Sequence, residues 1–118
     1  MHRINSTIAA ISVRSGTNAY TVETTRTISE ISGQLDMVLD DGPHTLESME
    51  TTIILYLPLL AADGILIIED VQEISWFEQL ISVVPAEVRP AVQTYDRRDL
   101  KNKYDDLIFV IDKSTLNL

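Results

Sequence analysis

The sequence predicts an α/β domain with a largely parallel sheet, and two observations carry that expectation. Short apolar runs rich in β-branched residues recur at Ile8 to Val13, Leu35 to Leu39, Ile65 to Ile68 and Leu107 to Ile111, with segments of helical spacing between the first three. Leu35 to Leu39 and Ile65 to Ile68 also run with almost no polar break. Strands that read this way are buried on both faces, as central parallel strands are.

Taken in order, IAAISV (Ile8 to Val13) is the first strand, and it ends in the loop Arg14-Ser15-Gly16-Thr17-Asn18. Tyr20, Val22, Thr24, Thr27, Ile28 and Ile31 fit a helix over Tyr20 to Ile31, with Gly33 where a C-terminal cap belongs. The second strand, Leu35 to Leu39, stops at Asp40-Asp41, turns through Gly42-Pro43 and reaches His44. Thr45 is a natural N-cap for a helix running from Ser48 to Gly64 with Met49, Ile53, Leu57 and Leu60 at helical spacing. Pro58 predicts a break or kink in it, because proline has no backbone donor and clashes with the preceding turn. The third strand, Ile65 to Ile68, ends in Glu69-Asp70. A helix from Ile74 to Val84, a loop through Pro85 and Pro90, a strand from Ala91 to Tyr95 and the last strand at Leu107 to Ile111 complete the chain. The charge run DRRDLKNKYDD, Asp96 to Asp106, reads as a solvated loop before that last strand.

The 118 residues fit one domain, 45% hydrophobic and 23% charged, with no repeat or low-complexity tract. A net charge of −9 argues against nucleic acid as a partner, since affinity for a phosphate backbone comes mainly from Lys and Arg. Cysteine is absent, which removes disulfides, thiolate metal sites and a cysteine nucleophile, and suits the cytoplasm. The N-terminal stretch lacks the continuous apolar region of a signal peptide, and no run of about 18 apolar residues predicts a membrane span. On that reading the Asn5-Ser6-Thr7 sequon is accidental.

In an open parallel α/β sheet, ligands bind beyond the carboxyl ends of the strands. Two strands here end in paired acids, so neighbouring strands would bring Asp40, Asp41, Glu69 and Asp70 to one edge. Two unit charges about 4 Å apart repel by about 4 kcal/mol at an effective dielectric near 20. Such a cluster calls for a cation or a proton, and oxygen ligands without cysteine favour a hard ion such as Mg²⁺ over zinc. The plain alternative is that the acids and Thr45 cap the helix that starts there. His44 likewise has two readings: a loop histidine making one hydrogen bond, or a general base taking a proton from a metal-acidified hydroxyl. His2 has no comparable setting. Trp76 and Phe77 read either as helix core contacts or as a wall of an acceptor pocket, and spacing favours the core. A phosphoacceptor receiver domain is set aside, because no acidic pair follows an earlier strand and the later strand ends in Glu69-Asp70 instead of lysine.

The stretch LDMVLDDGPHTLESMETTIILYLPLLAADGILIIEDV resembles the later half of class I S-adenosylmethionine-dependent methyltransferases. It is particularly similar to the branch holding macrolide-sugar O-methyltransferases and cephalosporin-hydroxylase-like proteins. Their pattern is an apolar strand, Asp-Asp-Gly-Ser/Pro-His, a helix ending in Leu-Leu-x-x-Gly-Gly, and an apolar strand ending in Glu-Asp. The match covers Gly16 to Asp70, and KYDDLIFVIDK resembles the last strand of the same fold. The resemblance implies a Rossmann-like methyltransferase sheet, mostly parallel with an antiparallel strand near the C-terminus. It also implies O-methyl transfer from S-adenosylmethionine to a small hydroxylated acceptor, assisted by Mg²⁺.

On the same resemblance, Asp41, Glu69 and Asp70 match the cation ligands and His44 the base. The related catechol methyltransferases carry a lysine at the His44 place. Asp40 would lie near the methionine portion of the cofactor, and GTNAYT resembles the loop that holds the adenine, with Asn18 at the position of its usual acid and Ala19 beside it. The departure is the glycine-rich loop of the fold's first strand: the four glycines, Gly16, Gly33, Gly42 and Gly64, form none. The chain therefore reads as a single truncated methyltransferase-like domain, 1–118, beginning near the third strand. A second copy would complete the cleft or the sheet edge as a homo-oligomer. The competing expectation is an inactive methyltransferase-like module that binds a partner through its sheet edge.

Overall fold

The computed structural model describes residues 8–11, 34–40, 44–97 and 107–116. The helix expected over Tyr20 to Ile31 lies outside them, as do Asn18, Ala19 and Asp41 among the candidate site residues. The described residues form an α/β unit around a five-stranded mixed sheet. Its strands are β1 (Ile8–Ile11), β2 (Leu35–Asp40), β3 (Leu60–Ile68), β4 (Val92–Asp96) and β5 (Leu107–Asp112), in the spatial order β1-β2-β3-β5-β4. β1, β2 and β3 run parallel, whereas β5 is antiparallel to both of its neighbours, β3 and β4.

Helix α1 (Leu46–Tyr56) begins as its sequence requires. The Thr45 hydroxyl accepts from the Ser48 N–H at 3.1 Å, and the Ser48 hydroxyl donates to the Thr45 carbonyl at 2.9 Å. Its end corrects the expectation of a helix to Gly64. The Leu57 N–H still reaches the Ile53 carbonyl, but Pro58 has no N–H to offer the next one, and the chain tightens into a 3₁₀ turn at Leu57–Leu59. Leu60 is already extended, so LAAD belongs to β3. β2 and β3 pair Leu35 with Leu60 and then Met37 with Ile65, which leaves Ala61 to Gly64 opposite Asp36 alone. This irregularity in the register absorbs the extra residues, and Lys113 Nζ donates to the Leu60 carbonyl at 3.2 Å where it starts. Gly64 is required there: a Cβ would stand 2.7 Å from Leu60 Cγ and 3.1 Å from the Leu35 carbonyl oxygen.

Helix α2 (Trp76–Ser82) is shorter than the expected span from Ile74 to Val84 because both ends close with i→i+3 bonds. These include Phe77 N–H to Ile74 O at 3.1 Å and Val84 N–H to Ile81 O at 3.0 Å. Ala91, expected as the first residue of β4, belongs instead to a 3₁₀ turn with Pro90.

Strand alternation explains where the core lies. Val38 and Asp40 on β2, Leu66 and Ile68 on β3, and Leu107, Phe109 and Ile111 on β5 share one face by register, and all are buried. Met49, Ile53 and Tyr56 of α1 and Phe77 and Leu80 of α2 pack onto the apolar members of that face. Phe77 and Phe109 stack with ring centroids 6.3 Å apart, so Phe77 is a core contact. The other face, carrying Met37, Leu39, Ile65 and Ile67, is only half-buried.

Candidate functional site

β2 and β3 are parallel neighbours whose carboxyl ends are level: Asp40 pairs with Ile68, and the Glu69 N–H donates to the Asp40 carbonyl at 3.3 Å. The two acidic strand exits therefore lie side by side. Just beyond them the Val71 N–H donates to the Leu107 carbonyl at 3.1 Å, which ties the exit of β3 to β5 as well.

Two residues at these exits adopt left-handed backbone conformations, His44 at φ 59° and Asp70 at φ 58°. Among the described residues they are the non-glycine positions with positive φ. That region disfavours side chains with a Cβ, and residues held there concentrate at sites where the strain serves a purpose. The two side chains meet, with His44 Nε2 3.3 Å from Asp70 Oδ2. His44 is 38% and Asp70 26% exposed, so the pair sits at the surface while Nε2 itself is shielded from solvent. The approach is within ion-pair distance but makes no hydrogen bond at Nε2.

The sequence placed Asp40 and Glu69 at the same edge, and the structure separates their surroundings. Asp40 follows Val38 on the buried face of β2 and is 3% exposed. Its Oδ2 accepts from the Thr52 hydroxyl at 2.7 Å, so this carboxylate turns inward to α1 and braces the strand end against the helix. Glu69 is half-buried beside Asp70. Among the described residues no three histidine, aspartate or glutamate side chains converge to hold a metal ion. The third predicted ligand, Asp41, lies outside those residues.

Thr52 and Tyr56, one turn apart on α1, complete a buried polar group that reasoning from apolar spacing alone passed over. Both are fully buried, and they flank Ile53 on the helix face that meets β2. The available signal was their place in the 49-52-53-56 stripe together with the alternation that turns Asp40 inward. Burial, and then the negative charge of Asp40, raise the Tyr56 phenol above its ordinary value of 10.0. The neutral phenol is thus favoured in the fold. Its contribution to stability is fully present below the unfolded value of about 10 and is lost as pH rises through the raised folded value. Denaturant titrations between neutral pH and pH 11 are expected to show stability falling above about pH 10. Tyr56→Phe should flatten that fall, and an unchanged slope would remove Tyr56 as its source.

Gln72 is a further residue that the sequence did not single out. Its side-chain Nε2 donates to the Asp70 carbonyl at 2.8 Å. No helix among the described residues is long and apolar enough to cross a membrane. Comparison with protein-family models and with curated proteins returns no match to this chain.

Proposed function

We propose that the chain carries a Rossmann-like S-adenosylmethionine-dependent methyltransferase site, with O-methyl transfer to a small hydroxylated acceptor assisted by a divalent cation. The observation that carries this reading is the contact between His44 and Asp70 across two adjacent strand exits, each residue in a left-handed conformation.

The donor set is consistent with a hard cation: Glu69 and Asp70 supply carboxylate oxygens, and Asp41 would join them as the third ligand. A divalent ion, when bound, supplies Lewis acidity that makes an acceptor hydroxyl easier to deprotonate. In the proposed reaction the acceptor oxygen gains a methyl group and loses its proton, and His44 is where that proton goes. Nε2 is shielded from solvent beside Asp70, so Nδ1 would be the accepting atom. Asp40, buried against Thr52, holds the end of β2 in place.

The test is calorimetric titration of the purified chain with S-adenosylmethionine, with and without Mg²⁺. Micromolar binding that tightens with Mg²⁺ supports the reading. Absence of binding by a folded sample would overturn it in favour of a partner-binding module.

A further inference from the structure

We propose that Gln72 is a positioning residue for this site, holding Asp70 in the left-handed conformation from which its carboxylate meets His44. The proposal deepens the methyltransferase reading and rests on the strand-exit site being the working one.

A residue with a Cβ at φ 58° sits above its ordinary conformation by on the order of 1 kcal/mol, so local bonds must hold Asp70 there. The residues on either side are pinned to different strands. The Glu69 N–H is bound to β2 through Asp40 O at 3.3 Å, and the Val71 N–H is bound to β5 through Leu107 O at 3.1 Å. The Asp70 carbonyl shares one peptide plane with the Val71 N–H, so the Leu107 bond holds that plane from one edge. The Gln72 amide takes that carbonyl at 2.8 Å. The Gln72 bond holds the same plane from its other edge, and a rotation of Asp70 to negative φ that turned the plane would break both bonds.

The side chain suits the task in type, length and setting. It must donate to a carbonyl, which an amide does and a carboxylate does not. It must reach back two residues, and asparagine falls one methylene short. Gln72 is half-buried, so water competes less for this carbonyl than it would at an exposed turn.

The experiment compares the isotope-labelled full chain with Gln72→Met, which keeps the length and loses the donor. Two signals are read by NMR: the intraresidue HN–Hα cross-peak of Asp70, strong only at positive φ, and the His44 ring resonance, easily assigned because the chain has two histidines. In the variant the Asp70 cross-peak is expected to weaken toward the level of ordinary negative-φ residues. The His44 ring signal should move toward that of an unstructured imidazole. If both signals stay in place, Gln72 contributes packing alone and the proposal is overturned. Gln72→Asn serves the same comparison should the methionine variant not fold. No cofactor or acceptor is needed: a chain that binds no S-adenosylmethionine but loses the Asp70 conformation in Gln72→Met would overturn the reaction and support the positioning role.

Discussion

His44→Ala is expected to leave S-adenosylmethionine binding intact and to lower methyl transfer by about a hundred- to ten-thousand-fold, the usual contribution of a positioned general base. On the proposed reading the imidazole takes the acceptor's proton: it is partly exposed at the strand exits, and its Nε2 lies 3.3 Å from Asp70 Oδ2. Removing it deletes the proposed proton acceptor and leaves the proposed ligands Glu69 and Asp70 in place. The loss should therefore appear in turnover and spare affinity for Mg²⁺. His44→Lys separates chemistry from shape. On the proposed reading a base other than imidazole can serve at this place, so a lysine variant should recover part of the lost rate. Steady-state rates measured with one acceptor across the three proteins decide the matter. Equal rates for the wild type and His44→Ala would exclude His44 as the base.

The juxtaposition of the acidic strand exits was legible in the sequence because it follows from two rules. Apolar runs without polar breaks mark central strands, and the carboxyl ends of parallel neighbours open to the same edge. What happens one residue at a time was less legible. Apolar spacing carries Met49, Ile53, Leu57 and Leu60 smoothly into one helix, and Pro58 alone announced the break, which the structure shows where the hydrogen-bond ladder ends at Leu57. Periodicity records which side chains are apolar and is silent on which backbone donors exist. Asp40 illustrates the same gap on a strand. Its acidity suggested an open edge, but period-two alternation puts it on the face of Val38, and Thr52 supplies the hydrogen bond that makes burial tolerable. The left-handed angles of His44 and Asp70 had no sequence signal beyond a modest preference of histidine and aspartate for that region. Gln72 was invisible for a related reason, since its role is a bond to a main-chain atom whose direction only the folded chain defines.

Phe109→Ala is expected to cost about 3–5 kcal/mol of folding stability, the range for removing a fully buried aromatic ring. Phe109 has no exposed surface, stacks on Phe77 and pairs across the sheet with Ile68. Against a total of about 5–15 kcal/mol for a domain, that loss removes a large share. Urea titration should show the midpoint falling with little change in slope, and a difference below about 1 kcal/mol would mean the cavity collapses without cost. The position makes the effect functional too. Ile68 is the last residue of β3 before Glu69 and Asp70, so the cavity opens under the strand end that carries the predicted ligands. Phe77→Ala removes the other ring of the stack from α2 while leaving the Ile68 to Phe109 pair intact. The two single variants and the double variant then form a cycle whose coupling, about 0.5–1.5 kcal/mol for an aromatic pair, isolates the stacking contact. If Phe109 supports the site through Ile68, Phe109→Ala should reduce Mg²⁺ affinity in the fraction that remains folded, whereas Phe77→Ala should lower stability and leave that affinity unchanged.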